Sequence, residues 1–336
     1  MTAVRNFIIT FLLSLLVFGL IAYGLIQFAV SAFELDGGPG GVPAETTGGE
    51  EQGGPDGPIV DPPPGFDGIA GESFTALLVG TNYQPTVFED YDVTEENETI
   101  EGFPLEPRKI LAESIVLLRV NKETGECIFS AIPSTTKMVA GGHSVLLREY
   151  YADYGIDALC EKVMAMTGLP IDYYAVIHID EMIALIDDYG GITYYVNTDM
   201  HYVDETIGFT VNLRRGSQKL DGKTALAMLR YPDYPDGDDS RRQCAVDFLK
   251  ELAKKIITDS DKSNAAVIFR KYKEKIETNF ELEDLVANVD LLFAYNKMTI
   301  RTYTYPGTTV GTGEGAYFTP QISQAITFFK SYKYKG

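Results

Sequence analysis

The side chains most able to do chemistry on their own are few and widely spaced. Cys127, Cys160 and Cys244 have no CxxC spacing, whereas tetrahedral zinc wants closely paired thiolates. They read as buried apolar thiols, with one disulfide open as an alternative outside the cytoplasm. His143, His178 and His201 are scattered. There is no GxGxxG, Walker loop, HExxH or GxSxG, so dinucleotide, P-loop, zincin and nucleophile-elbow chemistries lack their usual signatures. Against 28 Lys and Arg stand 48 Asp and Glu, a formal net charge of -20. Such a surface repels phosphate backbones, so no nucleic-acid partner is expected.

The elements that must position any site begin after a membrane segment. Residues 7–33, FIITFLLSLLVFGLIAYGLIQFAVSAF, carry no charge. Roughly 20 apolar residues cross a bilayer core, and lipid forces them to be helical. Arg5 precedes the run and Glu34 and Asp36 follow it. Positive-inside bias then leaves a short cytoplasmic N-terminus, 1–6, and puts everything after Phe33 outside. A cleaved signal peptide is the alternative, but the apolar core exceeds the usual 7–15 residues. The expected place is the cell membrane, single-pass, with the C-terminal domain extracytoplasmic. Residues 34–66 are dense in Gly, Pro and acid, a disordered spacer.

Residues 67–336 are long enough for one sizeable domain, or at most two small ones. Strands are predicted at 74–80, 114–120, 127–132, 172–179, 192–196, 209–213 and 298–305. Helices are predicted at 145–155, 155–167, 181–189, 221–230, 240–257, 263–276 and 282–295. Helices interleave with strands, which predicts a mixed sheet covered on both faces. The fold class is α/β, an α/β/α layering preceded by one transmembrane helix.

Several blocks in this order resemble the LytR-CpsA-Psr family, with the match running from about 74 to 259. They are Leu77-Leu78-Val79-Gly80-Thr81; Glu113 to Val120 followed by Ser130-Ala131-Ile132-Pro133; Gly168 to Val176; Leu185 to Ile192; Leu213 to Ala227 running into Arg230-Tyr231; and Gly237-Asp238 with Arg241 and Gln243. The resemblance implies a transferase that moves a glycopolymer, teichoic acid or capsule, from polyprenyl pyrophosphate to peptidoglycan. It implies an apolar groove for the prenyl chain, arginines on the pyrophosphate, and magnesium (or manganese) held by carboxylates. Expected partners are the polyprenyl-pyrophosphate-linked glycopolymer, peptidoglycan, the lipid bilayer and paralogous envelope proteins.

Carried over by position, the resemblance makes Arg230, Arg241 and Gln243 catalytic, Arg230, Arg241 and Arg242 pyrophosphate-binding, and Glu113 and Asn82 the metal ligands. The chain also departs from the pattern. Asn82 stands for an aspartate, Leu111 and Ser134 for arginines, Glu113 for an aspartate, Pro232 for an arginine, and Cys244-Ala245 for Arg-Gln. Fewer guanidiniums weaken a pyrophosphate site, each charge-assisted bond contributing about 1.5–3 kcal/mol. A weakened or inactive relative, acting as a polyprenyl-phosphate-binding or scaffold module, is therefore the second expectation. A transcriptional attenuator is disfavoured by anchor, topology and charge. Read without the resemblance, Glu113 is equally a solvated acid at a strand entrance, and Arg230 a helix C-terminal dipole partner. Arg241 and Gln243 are equally first-turn surface residues, and Asp238 an N-cap.

Overall fold

Leu77 and Val79 point to one side of a strand, Ala76 and Leu78 to the other, and all are apolar. This double-sided pattern belongs to a strand buried on both faces. In the computed structural model, which describes residues 73–83, 99–100, 103–104, 109–204, 209–259 and 262–331, that segment is β1, Phe74–Thr81. The short pair β2 (Thr99–Ile100) and β3 (Phe103–Pro104) follows. Next come β4 (Ala112–Asn121), β5 (Glu126–Ala131) and the hairpin β6 (Lys137–Ala140) and β7 (His143–Leu146). Then follow helix α1 (Leu147–Thr167), β8 (Tyr173–Ile177), α2 (Ile179–Asp188), β9 (Ile192–Val196), β10 (Met200–Asp204), β11 (Phe209–Leu213) and β12 (Gly216–Leu220). The chain continues with α3 (Gly222–Leu229), α4 (Asp238–Asp259), α5 (Lys262–Lys273), β13 (Glu277–Thr278), α6 (Leu282–Ala287) and α7 (Val289–Ala294). It finishes with β14 (Thr299–Thr302), β15 (Gly307–Val310), β16 (Tyr317–Pro320) and α8 (Ile322–Ser331).

The central sheet has six strands in the order β13-β8-β1-β4-β5-β14. β1 runs antiparallel to β4 and parallel to β8, and β14 runs parallel to β5, so the sheet is mixed. Leu77, Val79, Ile115 and Leu117 share a core with Leu147, Leu159 and Val163 of α1 and Phe329 of α8. Val116, Val120 and Phe129 share another with Val246 of α4. A third core lies under β9, β11, α3 and α4, where Phe248, 0% exposed, packs edge-on against Tyr194. Arg119 is a charge inside the sheet, 6% exposed, its Nη1 donating to Thr75 Oγ1 at 2.6 Å.

Most predicted strands and helices are present as expected, and the two helices meeting at Gly155 are the two halves of α1. The φ of 78° at Gly155 breaks the helical conformation, which a Cβ would resist. Three expectations need correction. The helix predicted from Val145 begins two residues later, because Val145 pairs with Met138 in the β6–β7 hairpin. The helix predicted over 282–295 divides at Asn288 into α6 and α7. A helix was not expected after residue 305, yet α8 supplies Ala325 and Phe329 to the core. Cys127, Cys160 and Cys244 are free thiols, the first and last buried; burial pushes Cys127 up to about 12 and Cys160 to about 11. Among the described residues no helix is long and apolar enough to cross a membrane. The predicted N-terminus 1–6, anchor 7–33 and linker 34–66 lie outside the described residues.

Gly222 brings α3 against α2. A Cβ there would stand 2.3 Å from the Ile183 carbonyl oxygen and 2.7 Å from its Cα, so backbone meets backbone with no side chain between. Asp221 Oδ1 accepts from Thr224 N–H at 2.8 Å, capping α3.

Candidate functional site

β1 and β4 leave the sheet together at the level of Gly80 and Ser114, and there the register slips. Gly80 pairs with Ser114 but Thr81 pairs with Ala112, so Glu113 is the extra residue of a bulge. Bulges re-aim a side chain at the rim of a sheet. Glu113 Oε2 lies 3.6 Å from Arg148 Nη1, both side chains half-buried. Arg148 occupies the first turn of α1, its backbone N–H donating to the Ser134 carbonyl at 2.9 Å.

Arg230 caps α3 at its C-terminus, its backbone N–H donating to Leu226 O and Met228 O. It reaches the surface, its guanidinium 5.0 Å from the centre of the Phe209 ring. Desolvation lowers its pKa, and the negative charge of Glu113 opposes that shift. Glu113 thus faces Arg148 at close range, and its charge is also felt at Arg230.

The other expected residues are engaged differently. Arg241 Nε donates to Asp238 Oδ1 at 3.0 Å, and its Nη2 bonds the same oxygen. Arg242 pairs with both Asp238 and Asp239 and lies 5.6 Å from the Phe318 ring. Phe318 N–H in turn donates to Thr135 O, so Arg242 borders the loop that receives Arg148. Gln243 is exposed and donates to Asp247 Oδ2 at 3.0 Å. Asn82 follows β1 and serves as a clamp: its Oδ1 accepts from Leu111 N–H at 2.8 Å and its Nδ2 donates to Lys109 O at 3.4 Å.

The donor set tests the magnesium expectation. Magnesium is held through one or two carboxylates and substrate phosphates. Here Asn82 supplies only a neutral oxygen already bonded to backbone, and Glu113, the other expected ligand, faces the Arg148 guanidinium. Among the described residues no cluster of three His, Cys, Asp or Glu could hold a metal. His178 is fixed by its Nδ1 against Thr81 Oγ1 at 2.7 Å. Residues Asn82 and Glu113 do not fit a resident magnesium ion.

A cavity of about 260 Å³ opens on the sheet face between β1, β8 and α5, lined by Ala76, Leu78, Tyr173, Ala175, Leu185 and Phe269 among others. It is almost wholly apolar and slightly below the ~300–1,000 Å³ of small-ligand sites. At ~3.3 Å per residue, Leu78 and its partner Val116 stand about 10 Å along the sheet from Thr81 and Glu113.

Sequence reasoning missed Arg148. It belongs to none of the blocks that carried the resemblance, and the available signal was only its place at the start of a helix, beside the loop carrying Ser134.

Residues 72–333 match the profile of the LytR_cpsA_psr family. This chain belongs to that family. Among its relatives, biofilm regulatory protein A of Streptococcus mutans is 25% identical over 268 residues, 75% of this chain and 61% of that protein. The polyisoprenyl-teichoic acid–peptidoglycan teichoic acid transferase TagV of Bacillus subtilis is 24% identical over 234 residues, 67% of this chain and 59% of TagV. The chain thus spans about 60% of the length of these curated LytR_cpsA_psr relatives. The crystal structure of B. subtilis TagV superposes with a TM-score of 0.62 at 20% identity, covering 80% of this chain and all of that one. TagT bound to LIIa-WTA gives 0.56 at 18% identity, covering 77% and 89%. Both share the mixed α/β fold.

Proposed function

We propose that this protein is a cell-envelope transferase that moves a glycopolymer phosphoryl unit from a polyprenyl pyrophosphate to peptidoglycan. The observation that carries the reading is the Arg148–Glu113 contact at the rim of the sheet, with the charge of Glu113 also felt at Arg230, about 10 Å along the sheet from an apolar cavity. One feature suits a pyrophosphate and the other the start of a prenyl tail, each buried CH₂ contributing about 0.8 kcal/mol. The relatives named as teichoic acid transferases support the same substrate class. The uncharged run 7–33 would hold the domain outside the membrane, where a lipid-linked donor presents its head group.

In this reading Arg230 and its guanidinium neighbours bind the pyrophosphate and hold its charge in place. An acceptor hydroxyl of peptidoglycan attacks the phosphorus attached to the glycopolymer. The bond from that phosphorus to the bridging oxygen breaks, polyprenyl phosphate leaves, and the hydroxyl proton passes to water. The guanidiniums stabilise the charge gathering on the bridging oxygen.

A second reading is a binding or scaffold module without turnover, assembling with paralogous envelope proteins. It is favoured by the ion pairs that hold Arg241 and Arg242 on Asp238. The two are separated by incubating the full chain in detergent with a lipid-pyrophosphate-linked glycopolymer, peptidoglycan, and magnesium or manganese. Release of polyprenyl phosphate, abolished in Arg230→Ala and Arg241→Ala, supports the transferase. No release, with thermal stabilisation by prenyl phosphate, supports the binding module. Neither response removes both.

A further inference from the structure

We propose that Arg148 is a phosphate-binding residue of this site, and that Glu113 is the counter-ion that positions it. The inference rests on the pyrophosphate reading above and names the group that completes it.

The Arg148–Glu113 contact is a single approach of 3.6 Å. A guanidinium committed to a carboxylate makes two parallel bonds of about 2.7–2.9 Å. Arg148 Nε–H is buried and has no hydrogen-bond partner among the described residues. A buried donor left unpaired costs free energy comparable to a lost hydrogen bond, and a multivalent oxyanion arriving beside Glu113 would relieve that cost. Position adds to the argument. Arg148 stands in the first turn of α1, where the helix dipole disfavours a cation, yet Ser134 O and the Glu149 bond to Leu146 N–H fix the turn there. The charge of Glu113 is felt at Arg230 as well as at Arg148, so one carboxylate acts on two cations. This carboxylate holds Arg148 at the rim until the ligand enters, which is a different role from holding a metal cation.

The test titrates the full chain in detergent and EDTA with farnesyl pyrophosphate and with farnesol. Arg148→Gln is expected to weaken farnesyl pyrophosphate about ten- to hundred-fold, the loss of one or two charge-assisted bonds, with farnesol unchanged. Arg148→Lys keeps the charge without the fork and should fall between the two; it decides the matter should Arg148→Gln fail to fold. Glu113→Gln should hold the pyrophosphate at least as tightly as the native chain, without metal. Native-like affinity in both Arg148 variants, alongside loss in Arg230→Gln, would overturn the assignment of Arg148 and leave the pyrophosphate reading standing. Loss of farnesyl pyrophosphate binding in Glu113→Gln would overturn the counter-ion role. A native chain that binds farnesyl pyrophosphate no better than farnesol removes the assignment and the reading together.

Discussion

Asn82 and Leu111 are bonded in both directions. The Asn82 backbone N–H donates to the Leu111 carbonyl at 3.2 Å, and Leu111 N–H donates to Asn82 Oδ1 at 2.8 Å. The side chain that the family resemblance assigns to a metal thus holds the approach to β4 against the end of β1. Asn82→Ala is expected to lower stability by about 1–2 kcal/mol, one to two hydrogen bonds, measured by urea unfolding. Asn82→Asp keeps an acceptor and adds a charge, and should gain a magnesium-dependent rise in melting temperature that the native chain lacks.

Asp238 restrains two arginines at once. Asp238→Asn removes the carboxylate that pairs with Arg241 and Arg242 and frees their forks for an external anion. Affinity for inorganic pyrophosphate, followed by calorimetry at low salt, is expected to rise several-fold and to fall back as salt screens it. An unchanged affinity would mean that neither arginine reaches the anion.

Ala175 lies opposite Leu78 and lines the apolar cavity. Ala175→Phe places a ring where about three methylenes would sit, and should weaken a long prenyl phosphate by about 2 kcal/mol, a few tens of fold. Inorganic pyrophosphate should bind as before. Equal losses for both ligands would show that the ring disturbs the fold rather than the tail.

Glu126 is buried against half-exposed Arg301, Nε to Oε1 at 2.8 Å. Burial raises its pKa above the ordinary 4.5, with Arg301 opposing. The folded chain therefore binds this proton more readily than the unfolded one. Stability falls as pH rises from the ordinary carboxylate range through the raised value, and the cost persists above it. Denaturation midpoints between about pH 4 and 7 should show that fall, and Glu126→Gln should flatten it.

The elements best legible in the sequence were those with a strong local period. β1 and β4 carry apolar residues on both faces, and α3 and α4 begin at recognisable polar turns; each formed close to its expected bounds. The β6–β7 hairpin was hidden because it packs little of itself: Val139 and the residues around the turn are exposed, so no alternation marked it. α8 carries the helical period, with Ile322, Ala325, Ile326 and Phe329 recurring at i, i+3, i+4 and i+7, and was overlooked. The site divides in the same way. Glu113 and Arg230 were named through blocks of sequence, and the charge of Glu113 is felt at Arg230. Arg148 entered through a tertiary contact with β4, 35 residues away, which no local pattern records. The ion pairs of Arg241 and Arg242 were within reach, since Asp238 lies three and four residues before them.

Gly222 leaves no slack between α2 and α3. One of these helices offers Leu185 to the apolar cavity, and the other ends on Arg230. Tail and head group would consequently be gripped by a single stiff jaw, and any tilt of α2 needed to admit a bulkier chain would carry the cation with it. A methyl group at that glycine should act as a wedge, altering the reach between grease and charge while leaving the chemical identity of every gripping side chain untouched.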